Sequence, residues 1–227
     1  MTVLHLADEG EAADLAAFLS RLIHYDRSAA VRLQAAGTAL AVFGRPPSFE
    51  VLAVRAVRLA KPYENGLDVT LDVTVSAGEL LETVDEQSAT AGVPGAVTGP
   101  PWAGVLPPRG GWRPEPGLPA PDALRALVAA AVAEFRSRTG ELAAEARTRA
   151  ELDRIGRDIW SRTVGDTGLP VRAVHAAQSL GFLRPGARSA EDAPVLFSSG
   201  AWLRLRTPYG SVALRRAGTG ALGISVR

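Results

Sequence analysis

Few side chains in these 227 residues stand at spacings that could do chemistry. There is no cysteine, so disulfides, thiolate metal ligands and a thiol nucleophile are excluded. The three histidines, His5, His24 and His175, lie far apart. None has a second histidine three or four residues on, the spacing that puts two imidazoles on one helix face for zinc. His24 near Asp26 and His175 on an alanine-rich helix each have general-base chemistry. The plainer reading is a helix-end cation suited to the dipole for His24 and an ordinary surface residue for His175. Asp68 and Asp72 share one side of an extended run, but a single strand supplies too few oxygens to hold a cation. Residues 218–223 read Gly-Thr-Gly-Ala-Leu-Gly, a literal dinucleotide fingerprint. Only four residues follow Gly223, too few for the helix and second strand that the fingerprint needs, so a glycine-rich tail is expected. Lys61 is the only lysine and follows Arg-Leu-Ala, which rules out a phosphate-binding lysine loop. No hydrolase nucleophile elbow is present, and Ser198-Ser199-Gly200 precedes a strand where an elbow needs a strand-to-helix turn. No catalytic residue, metal site or cofactor is therefore assigned, and an enzyme ranks below binding functions.

What remains is a constellation of arginines near the C-terminal end. Of the 25 basic residues 24 are arginine, which a GC-rich genome explains more simply than selection for phosphate contacts. Their placement is more telling. Residues 1–87 hold 13 acidic and 7 basic residues, net −6, whereas residues 88–227 hold 11 acidic and 18 basic, net +7. A sign change between halves points to different partners, or to two halves that attract each other. In the run from Trp202 to Arg215, Leu203 and Leu205 alternate with Trp202, Arg204 and Arg206, and Val212 and Leu214 alternate with Arg215. Thr207-Pro208-Tyr209-Gly210 between them is turn chemistry. This is a β-hairpin with one apolar and one basic face.

The elements that must position these residues follow from periodicity. Residues 2–7 form a short strand, and Asp8 with Glu11 makes a capping box for a helix with Leu15, Phe18, Leu19 and Leu22 on one stripe. Val31, Leu33 and Ala35 alternate with polar residues and turn at Ala36-Gly37 into a second strand over 38–43. Phe49 to Leu59 is extended, with a slip of phase near Ala53 that suggests a bulge. Leu67 to Val75 alternates cleanly, with Asp68, Thr70, Asp72 and Thr74 on the wet side. Ser76 with Glu79 caps a short helix. The acid pairs Glu79/Glu82 and Asp85/Glu86 read as solvated helix charges. Residues 88–121 carry nine of the sixteen prolines and seven glycines, yet also Trp102, Val105, Leu106 and Trp112. Aromatic residues are rare in free linkers, so this segment is expected to lie as a strap on the folded parts. Helices are expected from Pro121, from Thr148 with Glu151 at capping-box spacing, and from Pro170 to Leu180 ahead of Gly181.

These elements make an α+β protein in three parts: an acidic helix-plus-antiparallel-sheet domain over 1–87, a Pro/Gly-rich strap or linker over 88–120, and a basic helical domain with a C-terminal β-hairpin over 121–227. Three helices and a hairpin suit a winged helix, in which Arg172, His175, Gln178 and Ser179 would enter a DNA groove and Trp202, Arg204, Arg206 and Arg215 would contact the backbone. The expected function is a non-catalytic, DNA-associated regulatory or architectural protein. The alternative is a protein–protein adaptor or scaffold in which both domains bind protein partners. Candidate partners are double-stranded DNA, an acidic protein and a second copy of the chain. No apolar run is long enough for a membrane span, and the acidic N-terminal stretch is unlike a signal peptide, so a cytoplasmic location is expected.

Overall fold

The structure, a computed structural model, describes residues 2–60, 71–185 and 193–216. Lys61, residues 67–70 of the alternating run and the glycine motif at 218–223 lie outside the described residues. The chain is mixed helix and sheet, as its periodicities indicate. The strands are β1 (Val3–His5), β2 (Ala30–Ala36), β3 (Ala39–Gly44), β4 (Leu52–Arg58), β5 (Asp72–Ser76), β6 (Val84–Asp85), β7 (Thr90–Gly92), β8 (Arg113–Glu115), β9 (Val195–Ser199), β10 (Trp202–Thr207) and β11 (Gly210–Arg215). The helices are α1 (Glu9–Tyr25), α2 (Ala77–Glu82), α3 (Pro121–Gly140), α4 (Arg149–Trp160) and α5 (Val171–Ser179).

Local signals act where they stand in the sequence. Asp8, Ser76 and Thr148 each accept the amide of the residue three positions on, at 2.9, 3.3 and 3.3 Å, and so satisfy helix-start donors that would otherwise be orphaned. The stripe Leu15, Phe18, Leu19 and Leu22 is wholly buried. α3 begins with Pro121 in its first turn, where a missing amide hydrogen costs nothing. Gly181, at φ 75°, follows α5.

Eight strands form one antiparallel sheet in the order β5-β2-β3-β4-β11-β10-β9-β8, and β1, β7 and β6 form a separate small sheet. The joint between the N- and C-terminal strands is β4 on β11, where Leu52, Ala53 and Val54 face Ala213, Val212 and Ser211. Val31, Leu33, Val42, Val57, Leu203, Leu205 and Val212 point from the inner face into a single core shared with α1, α3, α4 and α5. β4 carries no bulge, since its register with β3 is unbroken from Arg58 opposite Ala39 to Ala53 opposite Gly44. Its apparent phase slip has another cause. Both faces of β4 are covered, so Leu52 and Val54 are buried on one side and Ala53 and Val57 on the other. A strand buried on both sides reads as a continuous apolar run instead of an alternation.

The hairpin of β10 and β11 is an interior pair of this sheet, with β4 on one flank and β9 on the other. It does not project as a wing. α5 is a core helix: Val171, Ala173, Val174, Ala176 and Ala177 are buried, and none of its nine residues is exposed. The hairpin turn is pressed against the helical layer. A Cβ on Gly210, at φ 154°, would stand 2.5 Å from the ring of Phe182, so the turn needs a residue with no side chain there.

One polar interaction lies inside this interface. Arg55 on β4 is 5% exposed. It donates from Nη2 to Glu11 Oε2 at 2.8 Å and from Nη1 to the Tyr209 carbonyl oxygen at 2.9 Å, and Nη2 also lies 3.2 Å from Asp14 Oδ2. Arg58 bridges Glu11 and Asp8, and Arg184 reaches Asp14 at 2.5 Å with its guanidinium 4.0 Å from the centre of the Tyr209 ring. Removing the guanidinium leaves the Tyr209 carbonyl without this donor, while Arg58 still serves Glu11 and Arg184 still serves Asp14. Arg55→Met is therefore expected to cost about 2 kcal/mol, the loss of charge-assisted hydrogen bonds in a part-buried place. The check is the urea midpoint at constant m-value; a cost below about 1 kcal/mol would mean the network contributes little more than a surface pair.

Candidate functional site

The alternation that buries Leu203 and Leu205 turns Trp202, Arg204 and Arg206 to the outer face of the sheet. The register sets Arg215 opposite Trp202, Ala213 opposite Arg204 and Ser211 opposite Arg206. The four sequence-assigned hairpin residues therefore do share one face. Arg204 is half-buried; its Nε donates to Ser211 Oγ at 2.9 Å, and its guanidinium lies 5.8 Å from the Trp112 ring centre. Arg206 is exposed, 5.1 Å from the centre of the Phe197 ring, and Arg215 is exposed beside half-buried Trp202. Among the described residues none of Arg204, Arg206 and Arg215 is ion-paired to a carboxylate. Burial, together with the neighbouring positive charge of Arg206, pushes the Arg204 guanidinium below its ordinary pKa. Its positive charge is thus poorly compensated inside the protein.

The strap covers the rest of this face. Val97 donates its amide to the Thr74 carbonyl at 2.9 Å, and Pro101–Gly104 form a turn of 3-10 helix. Trp102 and Leu106 pack on Phe43, Leu52 and Val54, the buried outer side of β3 and β4. Beside them Arg32 holds Asp72 through two bonds of 2.7 and 2.8 Å and donates to the Ala103 carbonyl, while Gln34 Nε2 donates to Asp72 at 2.9 Å. The hydrogen bond from Arg32 is the main cause that lowers the Asp72 pKa; Gln34 and the charge of Arg109 act in the same direction. Asp72 thus acts as an arginine partner. Trp112 Nε1 donates to the Pro108 carbonyl at 3.0 Å, closing the strap's end beside Arg204.

The α5 residues assigned from the sequence lie elsewhere, on the helical side of the sheet. Arg172 Nε stands 3.5 Å from Glu50 Oε2, beyond hydrogen-bond length. His175 is stacked on Trp160 with centroids 4.7 Å apart and meets Phe49 edge-on at 5.1 Å. The Gln178 side-chain oxygen Oε1 is buried without a partner among the described residues, and Ser179 lines a shallow hollow with Ser20, Arg21, His24 and Tyr25 of α1. The structure therefore groups the hairpin residues and separates them from Arg172, His175, Gln178 and Ser179 by the thickness of the sheet. The sequence reading did not assign Arg32, Arg109 or Trp112 to the site. Alternation placed Arg32 and Asp72 on the wet sides of their strands, but only the pairing of β2 with β5 sets them together. Among the described residues no group of three or more His, Asp or Glu could hold a metal, and no helix is long and apolar enough to cross a membrane.

Residues 1–104 are similar to a family described as a domain of unknown function (DUF8010), and residues 107–219 to a second, also described as a domain of unknown function (DUF8185). No curated protein matches the chain. The two matched regions meet within the strap, while the eight-stranded sheet draws strands from both.

His175 gives the site's surroundings a pH signature. Burial between rings lowers its pKa from the ordinary 6.5. The unfolded chain then binds a proton that the folded chain refuses. The contribution is complete above about pH 6.5 and is lost as pH falls below that value towards the folded pKa. His175→Phe keeps a ring against Trp160 and removes the titration. Unfolding free energies measured from pH 8 to pH 5 are expected to fall more steeply for the natural protein than for the variant. Parallel curves would show that His175 does not titrate in this way.

Proposed function

We propose that this chain is a non-catalytic, cytoplasmic adaptor that docks an acidic protein segment on the outer face of its sheet. The observation that carries this reading is the set Arg204, Arg206 and Arg215 beside Trp202, gathered on one face without a carboxylate partner among the described residues. Unpaired arginines attract an anionic partner from a distance, and Arg and Trp are enriched where partners pack tightly. An extended acidic segment could lie across the flat outer side of β9–β11 with its carboxylates on the guanidinium forks.

A DNA-associated regulatory or architectural role is the second reading. The same arginine row favours it, since guanidinium groups at strand spacing suit successive phosphates. The winged-helix form of that role has less support than the adaptor. A recognition helix must present side chains to base edges, and α5 has no exposed residue and lies across the sheet from the arginines.

Fluorescence titration at low salt separates the two. A Glu/Asp-rich peptide is expected to bind the natural protein more tightly than a random duplex. The pair Arg206→Ala and Arg215→Ala, at exposed positions, is expected to weaken the peptide about tenfold or more, the loss of two charge-assisted contacts. If the duplex binds more tightly instead, with a log–log salt slope near −0.9 per neutralised phosphate that these substitutions flatten by about two units, the DNA reading replaces the adaptor. Binding of neither ligand would end both.

A further inference from the structure

The outer sheet face holds a second feature. Between the strap and strands β2, β3 and β4 lies a cleft of about 340 Å3. Small-ligand pockets span roughly 300–1,000 Å3, so this one suits a single-ring molecule. Its floor is apolar, built from Ala41, Phe43, Val54 and Ala56, with Leu106 and Pro107 from the strap beside it. Its polar lining is Arg32, Gln34, Arg109 and Arg204, and no carboxylate among the described residues lines it. Arg32 is already neutralised by Asp72. Arg109 and Arg204 are not paired in this way among the described residues, and the two Nη nitrogens of Arg204 donate to no described residue. The cleft thus combines an apolar floor with the half-buried Arg204 guanidinium, which has no carboxylate partner among the described residues, and with the exposed Arg109, which shares Asp72 with Arg32 through its charge alone.

We propose that this cleft binds a small anion carried on an apolar body, a single-ring carboxylate or phosphate monoester. The ring lies on Phe43 and Val54, and the anionic group sits between Arg109 and Arg204. Half-burying a guanidinium without a partner is unfavourable, and an incoming oxyanion supplies both the missing charge and two acceptors in the plane that the guanidinium fork prefers. Pairing with Trp112 leaves the Arg204 side chain held in place before the ligand arrives, which lowers the ordering cost of binding. Arg109 comes from the strap and Arg204 from the sheet, so one ligand would tie the two together. The inference rests on the cleft and does not depend on the adaptor reading, whose test uses Arg206 and Arg215 outside the cleft.

Thermal unfolding and calorimetry of the full chain with benzoate, phenyl phosphate, benzamide and inorganic phosphate test it. Benzoate or phenyl phosphate is expected to raise the melting temperature saturably at millimolar concentration, because a ligand that binds only the native state stabilises it in proportion to occupancy. The stronger of the two distinguishes a carboxylate site from a phosphate site. Benzamide, which lacks the charge, and inorganic phosphate, which lacks the ring, are expected to shift it much less. Arg109→Gln, at an exposed strap position where folding is not at stake, is expected to weaken the anion about tenfold, the loss of one charge-assisted contact. Arg204→Gln should do the same or more, and Arg215→Gln should change nothing. The proposal is overturned if neither ring anion binds saturably, if benzamide binds as well as benzoate, or if binding survives intact in both Arg109→Gln and Arg204→Gln.

Discussion

Arg55 lies where three parts of the chain must meet, and its guanidinium sets the terms on which they do. It sits on β4 beside the backbone ladder to β11, with α1 on one side and the hairpin turn at Tyr209 on the other. A buried arginine is tolerated where its charge is matched and most of its donors are used; Nη1 and Nη2 of Arg55 are engaged, and only Nε lacks a partner among the described residues. Here the match is an alternating chain of charges: Asp8, Arg58, Glu11, Arg55, Asp14 and Arg184, three acids and three arginines. The last of these, Arg184, comes from the basic C-terminal part and lies over the ring of Tyr209. A slipped arrangement of α1 against the hairpin would leave the buried Arg55 charge without these partners.

The sign difference between the halves acquires a physical meaning from this arrangement. Part of it is spent internally, in Arg184 on Asp14 and in the looser approach of Arg172 to Glu50. Acids of the first half face arginines of the second across the helical side of the sheet. Three arginines of the second half, Arg204, Arg206 and Arg215, lie on the opposite side and have no such counterpart among the described residues. A sheet with one face committed to a core and the other partly roofed by a strap offers its functional surface where the roof ends. Both proposed activities, docking of an acidic segment and capture of a small anion, draw on that boundary.

The strap is central to this geometry. Its composition resembles a linker, yet Trp102 and Leu106 complete a second apolar layer over β3 and β4, and Arg32 is bound to the strap backbone as well as to Asp72. An antiparallel sheet of eight strands would otherwise expose Phe43, Leu52 and Val54 on its outer face. Between this cover and strands β2, β3 and β4 the cleft remains.

Local stereochemistry was legible in the sequence. The caps at Asp8, Ser76 and Thr148, the buried stripe of α1 and the two faces of the β10–β11 hairpin all follow from periods of 3.6 and 2 and from side chains that act within three residues of themselves. The shared face of Trp202, Arg204, Arg206 and Arg215 belongs to this class, since alternation and one turn suffice to place it. What lies beside that face was decided only by tertiary structure. The pairing of β4 with β11 joins residues some 150 positions apart, as Val54 lies opposite Ser211, and no local pattern marks such a partner. The same long-range pairing turned the hairpin into the middle of a sheet, sank α5 into the core and set Arg109 and Trp112 near Arg204. A sequence records which side of an element is apolar; which surface comes to cover that side depends on the energy of packing distant segments together.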